Sequence, residues 1–335
     1  MSEALLARHD AVLLDLDGTV YHGARVIPGA PEAVAEVRRA GVPVRFVTNN
    51  ASKAPESVAE HLRSLGVAAE PGEVSTSSQA AAAVLAERLR AGSRVLVVGT
   101  GALAAEVEAL GLAPVRKMAD DVAAVVQGHS PDTTWADLAE ACLAIRAGVL
   151  WVACNVDATL PTERGQLPGN GSMVAALRTA TDAEPVVAGK PEAPLFTAAA
   201  TAVRATSALV VGDRLDTDIA GASAAGLDAL AVLSGVATPR TLLTAAEGLR
   251  PRYLAEHLSA VTGRAGELEI GPRPGWRIRA EGDTLRVTAV TESDGVGDRL
   301  DLLRAVCDAA WRHGTHRLVP EGDDARGALD DLGLT

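Results

Sequence analysis

The chain has 335 residues, 48% hydrophobic and 22% charged, with a formal net charge of -12 at pH 7. That length predicts about two or three domains with a substantial core, and the acidic balance excludes a nucleic-acid-binding face built on Lys and Arg. Acidity leaves an anionic substrate open, because a bound metal inverts the local field. Cys142, Cys154 and Cys307 are an odd count with no CxxC pair, which reads as free thiols in a reducing cytoplasm. The N-terminal ten residues have no long apolar core or cleavage pattern, and no apolar run approaches the ~20 residues of a membrane helix. A cytoplasmic protein without nucleic-acid or membrane partners is expected.

The first element is a buried strand over 11–14, Ala-Val-Leu-Leu, which delivers Asp15 and Asp17 onto a loop containing Gly18. Side chains alternate in a strand, so both acids are expected to face one small volume. Two like charges that close need a cation or a shared proton. A helix over 31–40 follows, stopped by Gly41, and then a strand over 42–47 that ends in Thr48-Asn49-Asn50. A second helix spans 55–65. Strand and helix keep alternating, which predicts an α/β fold with an open parallel sheet and ligands beyond the strands' carboxyl ends.

The chain is expected to change domain near Ser75–Ser78. Helices over 79–90, 102–110, 135–147 and 172–181 alternate with strands over 94–98, 122–127 and 150–153, and 155–161 reads as a loop. A short strand over 186–188 precedes Gly189-Lys190-Pro191. A helix over 193–205 and a strand over 208–211 lead to Gly212-Asp213-Arg214-Leu215-Asp216-Thr217-Asp218. A helix over 219–225 and a strand over 230–233 follow. Residues 263–275 read as a linker. The tail holds a hairpin over 276–280 and 284–290, a helix over 299–312 and a strand over 316–319. About 60 residues are marginal as a lone domain, so the tail is expected to pack on the rest of the protein or on a partner.

Each motif is weak alone: an acid pair, a Thr-Asn-Asn turn, one lysine, a second acid cluster. In this order and at these strand ends they resemble the haloacid dehalogenase superfamily of phosphohydrolases. Its four motifs are matched by Asp15-Leu16-Asp17-Gly18-Thr19-Val20, by Thr48, by Lys190, and by Gly212-Asp213 through Asp218. The resemblance covers roughly residues 11–240. Within the superfamily the sequence is similar to the 4-nitrophenylphosphatase and phosphoglycolate phosphatase branch, whose members carry a large α/β cap between the second and third motifs.

The resemblance implies a Rossmann-like core over 1–78 and 186–262, a cap over 79–185, the linker, and a small C-terminal α/β extension over 276–335. It implies a Mg²⁺-dependent phosphatase acting on a small phosphorylated metabolite, with Asp15 as nucleophile and Asp17 as general acid and base. Mg²⁺ would be held by Asp15, the Asp17 backbone carbonyl, Asp213, and Asp218 directly or through water. Gly18, Thr48, Asn49 and Lys190 would hold phosphoryl oxygens, and Lys190 would also offset charge in catalysis. Asp216 is left between orienting Lys190 and capping the helix. His129, Asn155 and Asp157 are the cap-side candidates for substrate choice, and His22 reads as loop structure.

Members with such a C-terminal extension resemble actinobacterial glycerol 3-phosphate phosphatases, whose extension is similar to part of an N-acetyltransferase fold. Glycerol 3-phosphate is therefore the expected substrate. Phosphoglycolate, a sugar phosphate or a nucleotide is the alternative, and a catalytically silent binding protein the alternative of another class. Lys117 is the only lysine in the cap, and nothing around it points to Schiff-base phosphonate chemistry. The tail lacks a clear glycine-rich pyrophosphate loop, with Gly295-Val296-Gly297 the one weak echo. Acetyl transfer is not expected of it; packing, or homo-oligomerisation through cap or extension, is.

Overall fold

The computed structural model describes residues 3–162, 164–290 and 300–335. The chain forms two compact units, one of Met1–Val44 with Ala205–Thr335 and one of Arg45–Arg204.

In the first unit, four parallel strands lie in the order Tyr253–Ala255, Asp228–Val232, Leu209–Gly212 and Val12–Asp15. Their apolar runs are buried almost throughout, as strands covered on both faces require. The pairing Val12↔Leu209 through Leu14↔Val211 brings the carboxyl ends of two strands side by side, at Asp15 and at Gly212-Asp213. The helix Ala30–Arg39 follows Gly29, which takes a φ of 81°. It buries Ala30, Ala33, Val34 and Val37, the i, i+3, i+4, i+7 stripe of an amphipathic helix.

The tail belongs to this unit. Trp276–Glu281 and Thr284–Ala289 form the expected hairpin about Gly282, and Arg317–Glu321 adds in parallel to the second strand. The helix Asp301–His313 is buried nearly all round, and a final helix, Asp323–Asp331, was not anticipated. Gly295-Val296-Gly297 lies outside the described residues.

Two side chains anchor the helix Asp301–His313. Fully buried Arg304 donates from Nη2 (2.8 Å) and Nε (3.3 Å) to the Leu254 carbonyl and pairs with Asp301 at 2.9 Å. Trp311 Nε1 donates to the Leu242 carbonyl at 3.0 Å, and the Arg250 guanidinium lies 5.6 Å from the Trp311 ring. The segment 263–275, expected as a linker, is tied down along its length. It carries a helix, Ala265–Leu268, with both end residues buried. The Leu5 N–H donates to the Gly263 carbonyl, Glu269 bridges Tyr253, and Ile270 N–H donates to the Arg252 carbonyl. Polar composition misleads here because the polar groups are spent on internal contacts: besides the backbone bonds, Arg273 pairs with Asp301 at 2.8 Å and Glu269 with Arg252 at 3.0 Å.

The second unit holds a five-stranded parallel sheet in the order Val186–Val187, Leu150–Ala153, Val122–Gln127, Arg94–Val98, Ala113–Val115. The helices Trp135–Arg146 and Asn170–Thr181 pack on it around Leu96, Val125, Trp151, Val174 and Leu177. The parallel pair Val44–Thr48 and Val74–Thr76 leads into the helix Ser77–Arg88, which begins at a capping box between Thr76 and Gln79. Residues 155–161 are not all loop. Thr159–Thr162 pairs antiparallel with Gly165–Pro168, setting Leu160 opposite Leu167. Gly165 supplies the turn with a φ of 114°, and Pro161 is tolerated because a two-stranded ribbon consists only of edges.

The anchor is testable. Arg304→Ala removes both bonds to Leu254 and is expected to cost about 3 kcal/mol in urea unfolding, with Trp311→Phe costing about 1 kcal/mol. Wild-type stability in Arg304→Ala would exclude the anchoring role.

Candidate active site

In the first unit, three carboxylates converge. Asp15, Asp213 and Asp218 are all buried, and each offers an oxygen within 4.8 Å of the others. Asp15 is the last residue of its strand and Asp213 the first beyond its own. Asp218 reaches the cluster because the helical start lies earlier than expected. A π turn over Leu215–Ile219 precedes the helix Ala220–Ala224, and both Asp218 N–H (3.0 Å) and Ile219 N–H (3.1 Å) bond the Arg214 carbonyl. Such turns interrupt a helix where a side chain must be re-aimed. Asp218 Oδ2 then accepts from the Arg214 N–H at 3.0 Å.

The approach is so close that glycine is required around it. A Cβ on Gly212 would lie 2.3 Å from the Asp218 Cβ. On Gly18, at a φ of 91°, it would lie 2.3 Å from Asp213 Oδ2, and on Gly235 2.0 Å from the same oxygen. Asp213 is further held by the Val236 N–H on Oδ2 (2.7 Å) and the Ala237 N–H on its carbonyl (2.8 Å). Three buried carboxylates at this spacing repel one another, and a cation bound among them relieves that repulsion. An all-oxygen donor set of this charge suits a hard divalent ion such as Mg²⁺.

Asp17 does not join this cluster through its side chain. The strand ends at Asp15, so the two-residue alternation no longer applies. The Leu16 carbonyl accepts from the N–H groups of Thr19, Val20 and Tyr21, and Gly18 N–H returns to the Tyr21 carbonyl. This tight turn leaves the Asp17 side chain 62% exposed, with Oδ1 3.8 Å from His22 Nδ1. His22 is more than loop: it lies on a two-residue strand, and its Nε2 is 2.7 Å from the Ser234 carbonyl. Ser234 Oγ donates to the Gly18 carbonyl at 2.7 Å. The segment Ser234-Gly235-Val236 thus braces both acid loops and was missed. Its one sequence signal is its place just after a core strand. Asp216 is exposed and pairs with Arg214 at 2.7 Å.

In the second unit, Thr48, Asn49, Asn155, Asp157 and Lys190 come together. Thr48 ends its strand, and its Oγ1 accepts from the Asn50 N–H at 3.1 Å. Lys190 is 4% exposed and precedes a cis proline. The Asn49 amide accepts from the Lys190 N–H (2.8 Å) and donates to the Lys190 carbonyl (3.0 Å) and to the Asp157 carboxylate (3.2 and 3.3 Å). Its side chain is therefore committed inside the protein, which leaves the backbone N–H as the group of Asn49 able to meet a phosphoryl oxygen. Asn155 is buried and donates to the Asn49 carbonyl at 2.7 Å, so its amide is likewise spent internally. His129 stands apart, half-buried after the strand Val122–Gln127. Its chain neighbour Ser130 helps line a cleft of about 340 Å³ with Gly99, Thr100, Arg116 and Asp132. Burial pushes the Cys154 thiol far above its ordinary range, so it is inert; all three cysteines are free.

Comparison with known proteins accounts for this arrangement. Residues 12–113 match the haloacid dehalogenase-like hydrolase family, 187–261 a HAD-hydrolase-like family, and 273–334 a GCN5-related N-acetyltransferase like domain. The chain is 49% identical over 342 residues to D-glycerol 3-phosphate phosphatase of Mycobacterium tuberculosis, covering 99% of this chain and 96% of that one. It is 39% identical to a 5'-nucleotidase of Bacillus subtilis, over 67% of this chain and 87% of the relative. A crystal structure of a glycerol phosphate phosphatase from Mycobacterium tuberculosis in complex with magnesium superposes with a TM-score of 0.95 at 49% identity, covering all of both chains. A 4-nitrophenylphosphatase from Thermotoga maritima gives 0.71 at 28% identity, over 78% of this chain and all of that one. Buried acids at adjoining strand ends and similarity along the full chain agree, and the protein belongs to the haloacid dehalogenase-like hydrolases.

Proposed function

We propose that the protein is a Mg²⁺-dependent phosphomonoesterase that hydrolyses glycerol 3-phosphate to glycerol and phosphate. One observation carries the chemistry: Asp15, Asp213 and Asp218 bury three carboxylates within 4.8 Å, an arrangement that calls for a divalent cation. The substrate rests on the Mycobacterium tuberculosis phosphatase, which is similar along the whole chain, extension included. The nucleotidase and the acid sugar phosphatases of Staphylococcus aureus match only about two thirds of the chain.

A phosphomonoester dianion repels an attacking carboxylate, and Mg²⁺ bound by Asp15, Asp213 and Asp218, with the Asp17 carbonyl, supplies the neutralising charge. Asp15 is the nucleophile. Its oxygen attacks phosphorus and gives an aspartyl-phosphate, dividing one hard displacement into two. Asp17 donates a proton to the departing glycerol oxygen, then takes one from the water that hydrolyses the intermediate. Its exposed carboxyl suits a group that exchanges protons with substrate and water. Gly18, Thr48 Oγ1, the Asn49 N–H and the Lys190 ammonium stabilise phosphoryl oxygens. Residues 79–185 act as the cap that selects the leaving group, with His129 its remaining candidate contact.

The test is Mg²⁺-dependent phosphate release. Wild type is expected to hydrolyse 4-nitrophenyl phosphate, chelation by EDTA to stop turnover, and added Mg²⁺ to restore it. Asp15→Asn should lower kcat by at least about a thousandfold; full activity in that variant would remove the nucleophile assignment. Across glycerol 3-phosphate, phosphoglycolate, sugar phosphates and nucleotides, glycerol 3-phosphate is expected to give the highest kcat/KM. A tenfold advantage for another member (about 1.4 kcal/mol in transition-state binding) would replace the substrate. Gly235→Ala pushes a methyl against Asp213, so its half-saturating Mg²⁺ concentration is expected to rise about tenfold. An unchanged Mg²⁺ dependence would show that Asp213 tolerates displacement.

A further inference from the structure

The amide of Asn49 pairs with both backbone groups of a single residue. Oδ1 accepts the Lys190 N–H at 2.8 Å and Nδ2 donates to the Lys190 carbonyl at 3.0 Å. A primary amide has two N–H donors, and the Asp157 carboxylate takes the other, at 3.2 and 3.3 Å. The clamp has no slack, because a Cβ on Gly189 would lie 2.5 Å from Asn49 Oδ1 and 2.4 Å from the Cys154 carbonyl. The Asn49 backbone is fixed in turn, its carbonyl accepting from Ser77 Oγ (2.6 Å) and Asn155 Nδ2 (2.7 Å). Asp157 itself is set by its N–H on Asn155 Oδ1 at 3.2 Å.

An asparagine amide has nearly the same shape when turned by 180°, so steric fit does not choose its orientation; the partners do. A carboxylate only accepts. It draws the NH₂ group toward itself, which leaves Oδ1 facing the Lys190 N–H. Turned the other way, Asn49 would set oxygen against the Asp157 carboxylate and N–H against the Lys190 N–H.

We propose that Asp157 is a positioning residue: its carboxylate sets the orientation of the Asn49 amide, and that amide fixes the Lys190 backbone and holds the ammonium in place. The kinetic side rests on the reading above, in which Lys190 stabilises the phosphoryl group. Asp157 then acts on every substrate alike, rather than selecting among them.

The chain has three lysines, and Lys53 and Lys117 are exposed while Lys190 is 4% exposed. Trace acetylation with acetic anhydride, read by peptide mass spectrometry, therefore reports on Lys190 against two internal references. In Asp157→Ala, Lys190 labelling is expected to rise about fivefold over the references as the clamp loosens. Asp157→Asn keeps an accepting oxygen and should stay within about twofold of wild type. Asn49→Asp, which sets a carboxylate against Asp157, should repeat the rise and serves if Asp157→Ala does not fold. With 4-nitrophenyl phosphate and glycerol 3-phosphate, Asp157→Ala should lose about tenfold in kcat with KM within about threefold, and Asp157→Asn should recover. Unchanged Lys190 labelling in the folded variants overturns the proposal, as does a loss confined to KM that differs between the two substrates. A wild type without phosphatase activity would overturn the functional reading alone, and the labelling would still decide the positioning role.

Discussion

Three carboxylates share one buried volume in the first unit, and much of the local structure exists to let them. Bringing Asp15, Asp213 and Asp218 within 4.8 Å of one another costs both mutual repulsion and lost hydration. Backbone N–H groups, from Arg214 on Asp218 and from Val236 on Asp213, supply partial positive charge in fixed directions. These dipoles offset part of that repulsion, and a bound cation would offset more.

The same economy governs the lysine in the second unit. Lys190 is held through its own backbone by the amide of Asn49. Asp157, two bonds of the network away, orders the residue through that amide. Glycine makes both arrangements feasible. Gly18, Gly212 and Gly235 admit the acids, and Gly189 admits Asn49, because at each position a methyl group would occupy the space of the functional atom.

Strand identity and the four motif positions were legible because buried parallel strands read as continuous apolar runs and strand ends are marked by abrupt polarity. What was illegible depended on backbone course beyond those ends. Asp17 follows Asp15 by two residues, yet the strand stops between them, and the turn about Leu16 sends its side chain outward. Asp218 gains its place from a π turn, which no periodicity announces. Asn49 and Asn155 have the composition of ligand-binding residues, but their amides satisfy internal backbone groups. Ser234 and His22 act through main-chain carbonyls far away in sequence, so nothing local marks them.

The C-terminal extension follows from a constraint on sheets. Tyr253–Ala255 is the edge of the four-stranded sheet in its unit, and an edge strand exposes carbonyl and N–H groups that must find partners. The segment 263–275 meets part of that need, through Glu269 bridging Tyr253 and Ile270 bonding Arg252. The Leu254 carbonyl remains, and Arg304 reaches it with two donors from inside the helix Asp301–His313. A buried guanidinium is expensive to desolvate, so an aliphatic residue would serve better if packing were the only task. An arginine there makes sense when a carbonyl on a sheet edge has to be satisfied across a helix interface. The extension resembles an acetyltransferase-like domain in fold, but a fold does not carry its activity with it. In this chain its best-defined contacts are those that close the open edge of the hydrolase sheet.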